Sequence, residues 1–516
     1  MLIGILANQL FAQNQFSNDL QLKVIYQHAY NRNGSALLPY LRHSQVKYRT
    51  AAAYGFASVQ DSTLTDSLVY YVLKCKDQAV QNALLYSLGQ LRLRSVGLKL
   101  QHISQNKALK GGQEACLIAI GKCAKLPDLK YFVSYEIKPQ NVNMERAYVY
   151  ALLQAYRRAK TISQLPLNEA IQKRIELINN NSQDTLTLHY IKLWKALPSM
   201  PQDHDKTLRL WDFSIAEVPQ ILAKVYQGNA YHFIAAMNWD SLQTDQLYAM
   251  MQLPLPNVLK THVADLYIKQ SKQVQNLLPL FQASDVTIQA MLCEALEGRL
   301  KSNSADSNIL ALLGPHTLDS LKQFQSELYM PRDFEAYVAY EKLIKAIAHQ
   351  PYQYQSWFQK GYSIPIDWHE INLIPANQQV ELLTNKGRIV LQCQVNEAPA
   401  SVANFLKLID QGYYNQKYWH RMVPNFVVQG GCPRGDGWGN LDFVQRSEWS
   451  NTLRYSPGAV GLASAGKDSE GVQFFITHTY TPHLDGRYSI IAYVVDGQSI
   501  VDSLEVGDQI ISMKRL

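Results

Sequence analysis

Residues 420–431 read HRMVPNFVVQGG, and this stretch decides the fold of the C-terminal part of the chain. Within it, Val427–Gln429 is one of several short apolar or alternating runs, which are typical of β-strands bounded by turn residues. The other runs are Val380–Leu383, Ile389–Cys393 and Ser489–Val495. Together they predict a domain of short strands over residues 376–516.

One helix interrupts these predicted strands. Residues 401–409 read SVANFLKLI, whose apolar positions have helical spacing, and Gly412 is suited to end that helix as a C-cap. About 140 residues of short strands with a helix predict a closed β-barrel with flanking helices.

The order of motifs in this region is more specific than its strand pattern. His420-Arg421 leads to Pro424-x-Phe426 and then to Gln429-Gly430-Gly431, and the later blocks Gln473–Thr477 and Leu484–Gly486 follow in order. Upstream, Glu397-Ala398-Pro399 precedes Val402–Phe405. These blocks resemble the cyclophilin family of peptidyl-prolyl cis-trans isomerases, and the resemblance covers residues 376–516.

The resemblance implies a role for each polar residue of the first block. Rotation about an Xaa-Pro bond is opposed by amide resonance, with a barrier of about 20 kcal/mol. Arg421 would donate a hydrogen bond to the prolyl nitrogen as it pyramidalises, and Gln429 would bond substrate backbone while orienting Arg421. We therefore expect Arg421 and Gln429 to be catalytic, with no cofactor and no metal.

The resemblance also implies a set of substrate-binding residues around the proline. They are Phe426, Val427, Ala463, Ser464, Gln473, Phe475, His483, Leu484 and Tyr488. In the alternative interpretation, Arg421 is a surface ion-pair residue and the phenylalanines belong to an ordinary core.

Four of these positions depart from the family's common residues. Val427 replaces a Met beside the pocket Phe, Ser464 replaces Asn, His483 replaces Trp and Tyr488 replaces His. A smaller residue 427 loosens the pocket, and His483 lacks the indole donor that the family associates with cyclosporin binding. We expect a working pocket, and the resemblance leaves cyclosporin sensitivity open. Cys432, near the pocket, is interpreted as a buried spectator rather than an accessible thiol.

The upstream region contains a repeat with a period of 32 residues, marked by Ala51, Ala83, Ala115 and Ala147. Small or apolar residues recur at the same offsets after each alanine, which indicates inner helices that neighbouring helices approach closely. A second apolar segment precedes each one, so the unit is a helix pair that buries its apolar face only by stacking. The register resembles the HEAT-repeat family, and we predict an all-α solenoid over residues 20–345.

Residues 346–375 join the two predicted regions. They combine Pro and Gly turn formers with aromatic residues and lack a helical period, which predicts a linker packed against its neighbours. The aromatic residues are Tyr352, Tyr354, Trp357, Phe358, Tyr362 and Trp368.

Composition excludes several classes of protein. With 47% hydrophobic and 18% charged residues, a chain of 516 residues can bury more than one core. No apolar run reaches the roughly 18 residues of a spanning helix, so we expect no transmembrane segment. The net charge is +7, but no run of Lys and Arg residues is longer than two. We therefore expect no nucleic-acid partner. The six cysteines lack metal-ligand spacing.

The first residues bear on the compartment. Residues 1–13, MLIGILANQLFAQ, resemble the tail of a secretory signal peptide, although no basic residue precedes Lys23. The alternative is a first amphipathic helix packed on the repeats. We expect a periplasmic or otherwise exported protein, with a cytoplasmic location as the alternative.

These features predict an isomerase that assists the folding of other proteins. Its partners would be proline-containing unfolded or extended clients, with a client or other protein partner held on the concave face of the repeats. The alternative is a scaffold that binds proline peptides and isomerises them incidentally. Arg421 favours the enzyme, since binding alone would tolerate its loss.

Overall fold

The computed structural model describes residues 13–104, 109, 111–135, 141–156, 167–182, 184, 187–188, 191, 230–231, 234, 239, 242–301, 317–353 and 363–516. Of the predicted signal-peptide remnant only Gln13 falls within these ranges. The linker aromatics between residues 354 and 362 also lie outside the described residues.

The first part of the chain is helical. Its α-helices are α1 Leu20–Tyr30, α2 Gly34–Leu37, α3 Val46–Val59, α4 Thr65–Lys74, α5 Gln78–Gln90, α6 Arg94–Ser104, α7 Gln113–Cys123, α8 Leu129–Ser134, α9 Val142–Tyr156 and α10 Leu167–Asn181. Short 3-10 helices lie at Leu38–Arg42, Ser62–Leu64 and Leu126–Asp128. Helices α1, α3, α5, α7 and α9 pack on one another in chain order around a continuous apolar core.

The four repeated alanines lie in α3, α5, α7 and α9, one in each helix. Ala83 and Ala147 are buried, whereas Ala51 and Ala115 are only half-buried. Small residues mark the points where these helices cross. A Cβ on Gly89 would lie 2.9 Å from the Cα of Ala119, and one on Gly121 would lie 2.4 Å from the carbonyl oxygen of Ala151.

A second group of helices has its own core. It comprises α11 Thr244–Met251, α12 Asn257–Gln270, α13 Val286–Lys301, α14 Thr317–Ser326 and α15 Phe334–Ile347, with 3-10 helices at Val274–Asn276 and Leu278–Gln282. Helix α15 packs along α13 and α14. No helix among the described residues combines the length and apolar character needed to cross a membrane.

The linker contains a helix that its sequence did not predict, α16 Trp368–Leu373. The Asp367 carboxylate caps it by accepting hydrogen bonds from the amides of His369 and Glu370 at 3.0 and 3.1 Å. The ring of Trp368 packs against Phe16 with centroids 5.5 Å apart. The cap and this aromatic contact stabilise one and a half turns of helix where the apolar pattern is too short to be recognised.

The C-terminal part forms one antiparallel sheet of eight strands. These are β1 Gln379–Thr384, β2 Gly387–Cys393, β3 Arg421–Val423, β4 Val427–Gly430, β5 Ala459–Leu462, β6 Phe474–Thr477, β7 Ile490–Asp496 and β8 Ile510–Arg515. Their order across the sheet is β3-β4-β6-β5-β7-β2-β1-β8. Helices α17 Pro399–Asp410 and α18 Gln498–Ser503 flank the sheet.

The predicted closed barrel is wrong in one respect, because the sheet is a half-barrel. Within residues 363–516 the end strands β3 and β8 do not pair with each other. An isolated bridge between Tyr418 and Gln509 joins the segments that precede them. The backbone hydrogen bonds between the two ends of the sheet come from residues at or just before the start of these strands, for example from the Trp419 amide to the Asp508 carbonyl oxygen at 2.9 Å and from the Ile510 amide to the Lys417 carbonyl oxygen at 2.8 Å.

The packing of α5 can be tested by substitution. Ala83 is fully buried, so Ala83→Phe should overpack the core and lower the free energy of unfolding by about 1 to 3 kcal/mol. Lys76 is exposed just before α5, and Lys76→Phe should have almost no effect. Urea unfolding of both variants measures the difference. Equal destabilisation by the two changes would contradict the assigned packing face.

Candidate active site

A row of paired residues crosses four strands of the half-barrel. Arg421 on β3 pairs with Gln429 on β4, Gln429 pairs with Phe475 on β6, and Phe475 pairs with Gly461 on β5. Directly paired residues in antiparallel strands share one face of the sheet. The sheet therefore brings a guanidinium, an amide and an aromatic ring into one line.

The glycine at the end of this row is required by the aromatic packing. A Cβ on Gly461 would lie 2.3 Å from the hydroxyl oxygen of Tyr455 and 2.5 Å from Cζ of Phe475. The rings of Tyr455 and Phe475 are stacked at 5.6 Å, and Tyr488 meets Phe475 edge-on at the same distance. These rings form a small apolar cluster with Val427 and Leu484, separate from the main core of the domain.

Arg421, Gln429 and Phe475 from the paired row line a cavity of about 250 Å³ together with Val427, Leu484 and Tyr488. Ten of the eleven residues predicted for the site are among its walls: Arg421, Phe426, Val427, Gln429, Ala463, Ser464, Gln473, Phe475, Leu484 and Tyr488. His483 is not among the lining residues, and its ring stacks on Phe426 at 5.2 Å. The cavity joins an apolar end, suited to a small ring, to a polar end that holds Arg421.

A chain of hydrogen bonds fixes the polar end. Gln429 Nε2 donates to Gln473 Oε1 at 3.0 Å, and Gln473 Nε2 donates to the carbonyl oxygens of Gly437 and Gly439, each at 3.0 Å. Both amide side chains are therefore held in place before any substrate arrives. Such preorganised polar groups cost little reorganisation during a reaction.

His420 begins the first block but does not line the cavity. Burial, together with the neighbouring positive charge of Arg421, lowers the pKa of His420 to about 4. The ring is thus neutral near pH 7 and poorly suited to exchange protons there. Among the described residues, no group of three or more His, Cys, Asp or Glu side chains could hold a metal ion.

The helical region contacts three segments that bear cavity residues. Beside Ser464 and Ser469, the buried guanidinium of Arg32 pairs with Asp468, with Nε 3.2 Å from Oδ2. The adjacent Lys467 donates from Nζ to the carbonyl oxygen of Val59 at 3.2 Å. The first wall is therefore tied to the turn that follows α1 and to the end of α3 through buried polar contacts.

The second wall is the segment Pro482–Gly486, which carries Leu484. From α9, the Tyr150 hydroxyl donates to Asp485 Oδ2 at 3.0 Å, and Gln154 Nε2 donates to the carbonyl oxygen of Pro482 at 2.8 Å. Asp485 is buried, and its burial raises the pKa of its carboxyl.

The third wall is the segment Arg434–Asn440. Arg434 lies between Asp436 and Asp285, with its Nη2 3.0 Å and 2.9 Å from their carboxylate oxygens. At the end of the segment, the amide of Gly439 donates to Glu335 Oε2 of α15 at 2.9 Å. Both groups of helices therefore help to build the cavity.

Comparison with known proteins identifies the family of the C-terminal domain. The family profile described as "Cyclophilin type peptidyl-prolyl cis-trans isomerase/CLD" matches residues 379–514. A peptidyl-prolyl cis-trans isomerase of Synechococcus elongatus is 42% identical over 138 residues, which are 26% of this chain and 94% of that protein. The chain belongs to the cyclophilin-type peptidyl-prolyl cis-trans isomerase family.

Two further matches cover a similar share of the chain. Peptidyl-prolyl cis-trans isomerase B of Bacillus subtilis is 38% identical over 128 residues, 25% of this chain and 90% of that protein. A solved structure of a cyclophilin-type peptidyl-prolyl cis-trans isomerase of Cryptosporidium parvum is 27% identical and covers 27% of this chain and 97% of that chain, with a TM-score of 0.26. The family profile and the two curated sequence relatives support isomerase activity, and they leave the role of the helical region unassigned.

The cyclophilin cavity includes residues that the sequence did not predict. They are Glu335, Gly439, Asn440, Ala465, Ser469, Gly471 and Val472. The last six lie in loops of the cyclophilin domain, and their Gly, Ser and Asn residues are the turn formers that mark such loops in the sequence. Glu335 belongs to α15 and carries no local signal, because only the fold brings it to the cavity.

Cys432 is a buried residue in this cyclophilin domain, as the sequence suggested. Its Sγ lies 3.1 Å from the carbonyl oxygen of Trp438, and burial raises the pKa of the thiol to about 12. All six cysteines have free thiols, and five of them are buried. Cys432 is therefore protonated and shielded at neutral pH, which makes it a poor nucleophile.

The position of Arg421 predicts its contribution to turnover. Arg421→Ala removes the guanidinium from the cavity and should lower kcat/KM on an Ala-Pro test peptide about 10²-fold or more, as expected for loss of a transition-state donor. Arg388→Ala removes an exposed guanidinium of β2 that pairs with Glu381 of β1 outside the cavity, and it should leave turnover unchanged. Peptide isomerisation at the parent rate by the Arg421 variant would contradict this role.

Proposed function

We propose that the cavity isomerises Xaa-Pro bonds through Arg421 and Gln429. The proline ring would occupy the apolar end between Phe426, Phe475 and Leu484. Arg421 would donate to the prolyl nitrogen as its lone pair localises in the twisted state, which stabilises that state over either planar one. Gln429 would bond the peptide backbone beside it.

The observation that carries this proposal is the paired row of Arg421, Gln429 and Phe475. It sets the guanidinium beside the ring pocket through strand pairing, so loop movement is not needed to assemble the site. The neutral His420 is consistent with a reaction that transfers no proton.

We further propose that residues 20–345 form a HEAT-like solenoid that binds unfolded or extended clients. The 32-residue spacing of alanines and the successive packing of α1, α3, α5, α7 and α9 support such an array. Its contacts with three walls of the cavity would hold a bound chain close to the pocket, which raises the effective concentration of its prolines. The enzyme would then assist refolding that is limited by proline isomerisation.

The second candidate function is a proline-peptide scaffold with incidental turnover. The same cavity would bind peptides under either proposal. The enzyme is favoured because the fixed Gln429–Gln473 pair and the adjacent Arg421 form a polar end that a simple hydrophobic clamp for proline does not need.

Competition in the intact chain tests the client proposal. A permanently unfolded protein without prolines should inhibit catalysed refolding of a proline-limited protein, because it would occupy the helical region. It should not inhibit isomerisation of a short Ala-Pro peptide, which needs only the cavity. A folded, disulfide-locked form of the competitor provides the matched control and should inhibit neither reaction. Refolding that proceeds unchanged under excess competitor would contradict client binding by the helices.

A further inference from the structure

A carboxylate from outside the cyclophilin domain lines the isomerase cavity. Glu335 is in the first turn of α15, between the buried residues Phe334 and Ala336, so its backbone is fixed by the core of the second helical group. Its Oε2 accepts the hydrogen bond from the Gly439 amide. The side chain therefore has a defined position on the wall formed by Gly439 and Asn440.

Glu335 is the acidic group among the described lining residues, and Arg421 is the basic one. A continuous series of contacts runs between them. Arg421 pairs with Gln429, Gln429 bonds Gln473, Gln473 bonds the carbonyl oxygen of Gly439, and the amide of Gly439 bonds Glu335. The two charges thus lie along one connected polar wall, and strand pairing sets Arg421 beside the ring pocket.

A peptide whose proline occupies the apolar end must extend its neighbouring residues along this wall or away from it. Successive residues of an extended peptide advance about 3.3 to 3.6 Å, so a side chain a few residues from the proline can reach the far end of a cavity of this size. A carboxylate in a poorly hydrated wall attracts a cation and repels an anion more strongly than it would in water.

We propose that Glu335 is a specificity-determining residue that favours substrates carrying lysine or arginine within three residues of the isomerised proline. This inference rests on the proposed assignment of the cavity as the substrate site. The helical region would then select substrates by charge, in addition to any role in holding clients.

The ionisation of Glu335 supplies a second readout. Burial raises the pKa of its carboxyl to about 7, the Gly439 hydrogen bond opposes that shift, and the charges of Asp436 and Glu294 add to it. The charged groups around it also include Asp285 and Arg434, which pair with each other, and Arg421 across the cavity. An acid with a raised pKa loses its charge as the pH falls through that pKa, so the preference should be full at pH 8 and weak at pH 6.

The test compares full-length proteins on a peptide series with lysine, alanine or glutamate at each of three positions on either side of the proline. At pH 8 the parent should turn over the best lysine peptide at least about 5-fold faster than its alanine counterpart, measured as kcat/KM. Glu335→Gln keeps an oxygen that can accept from Gly439 but removes the charge, so the lysine-to-alanine ratio should fall toward one. Glu341→Gln, on the same helix and outside the cavity, is the matched control and should keep the parent ratio.

A parent without a lysine preference at any position, or the same ratio in the parent and in Glu335→Gln, would overturn the inference and leave Glu335 as a clamp on Gly439. If the variant does not fold, the pH dependence of the ratio in the parent decides, and a ratio unchanged between pH 6 and 8 would overturn the proposal. Failure of the cavity assignment is seen separately, as an Arg421→Ala protein that turns over the alanine peptide normally.

Discussion

A buried ion pair, Arg32 with Asp468, constrains how the helices and the cyclophilin domain fit together. The two side chains are 5% and 0% exposed, so removing either partner would leave the other charge buried and unpaired, at a large cost in folding free energy. Breaking a buried pair on one side typically costs about 3 to 5 kcal/mol. The helical region and the domain therefore behave as a joined structure at this point.

Other buried polar contacts between the helices and the domain lie at different positions around the cavity. The carboxyl of Asp485 is buried and accepts a hydrogen bond from Tyr150, while Arg434 shares its charge between Asp285 and Asp436. Polar groups buried at a junction need hydrogen-bond partners on its other side. Separating the helices from the domain would therefore leave these groups without their partners. Because these groups lie in wall segments, the junction and the cavity are stabilised by the same contacts.

Much of the cyclophilin domain could be predicted because the signals for its strands and motifs lie in short stretches of sequence. Alternation and turn residues indicate the strands, and the ordered motifs indicate the cavity residues that strand pairing brings together, such as Arg421 and Gln429. The 32-residue spacing in the helical region was visible in the sequence because small residues are needed where α7 and α9 cross, at Gly121 and Ala151.

The remaining features depend on contacts that are distant in sequence. Arg32 and Asp468 are 436 residues apart, and Glu335 reaches Gly439 across 104 residues. No spacing rule connects such positions. The two ends of the half-barrel meet through backbone hydrogen bonds between residues 416–419 and 507–510, and α16 depends on the ring of Trp368 packing on Phe16. These were decided by tertiary packing rather than by local pattern.

Amide hydrogen exchange across residues 482–486 tests most directly whether the helices hold the cavity wall. The full-length protein carrying Tyr150→Phe and Gln154→Ala lacks the two donors from α9, so we predict exchange in this segment at least about 10-fold faster than in the parent, because local opening becomes easier. Exchange in β2 should stay the same, because β2 lies outside the cavity wall. Unchanged exchange at residues 482–486 in the double variant would contradict the account and make the cyclophilin cavity independent of the helices.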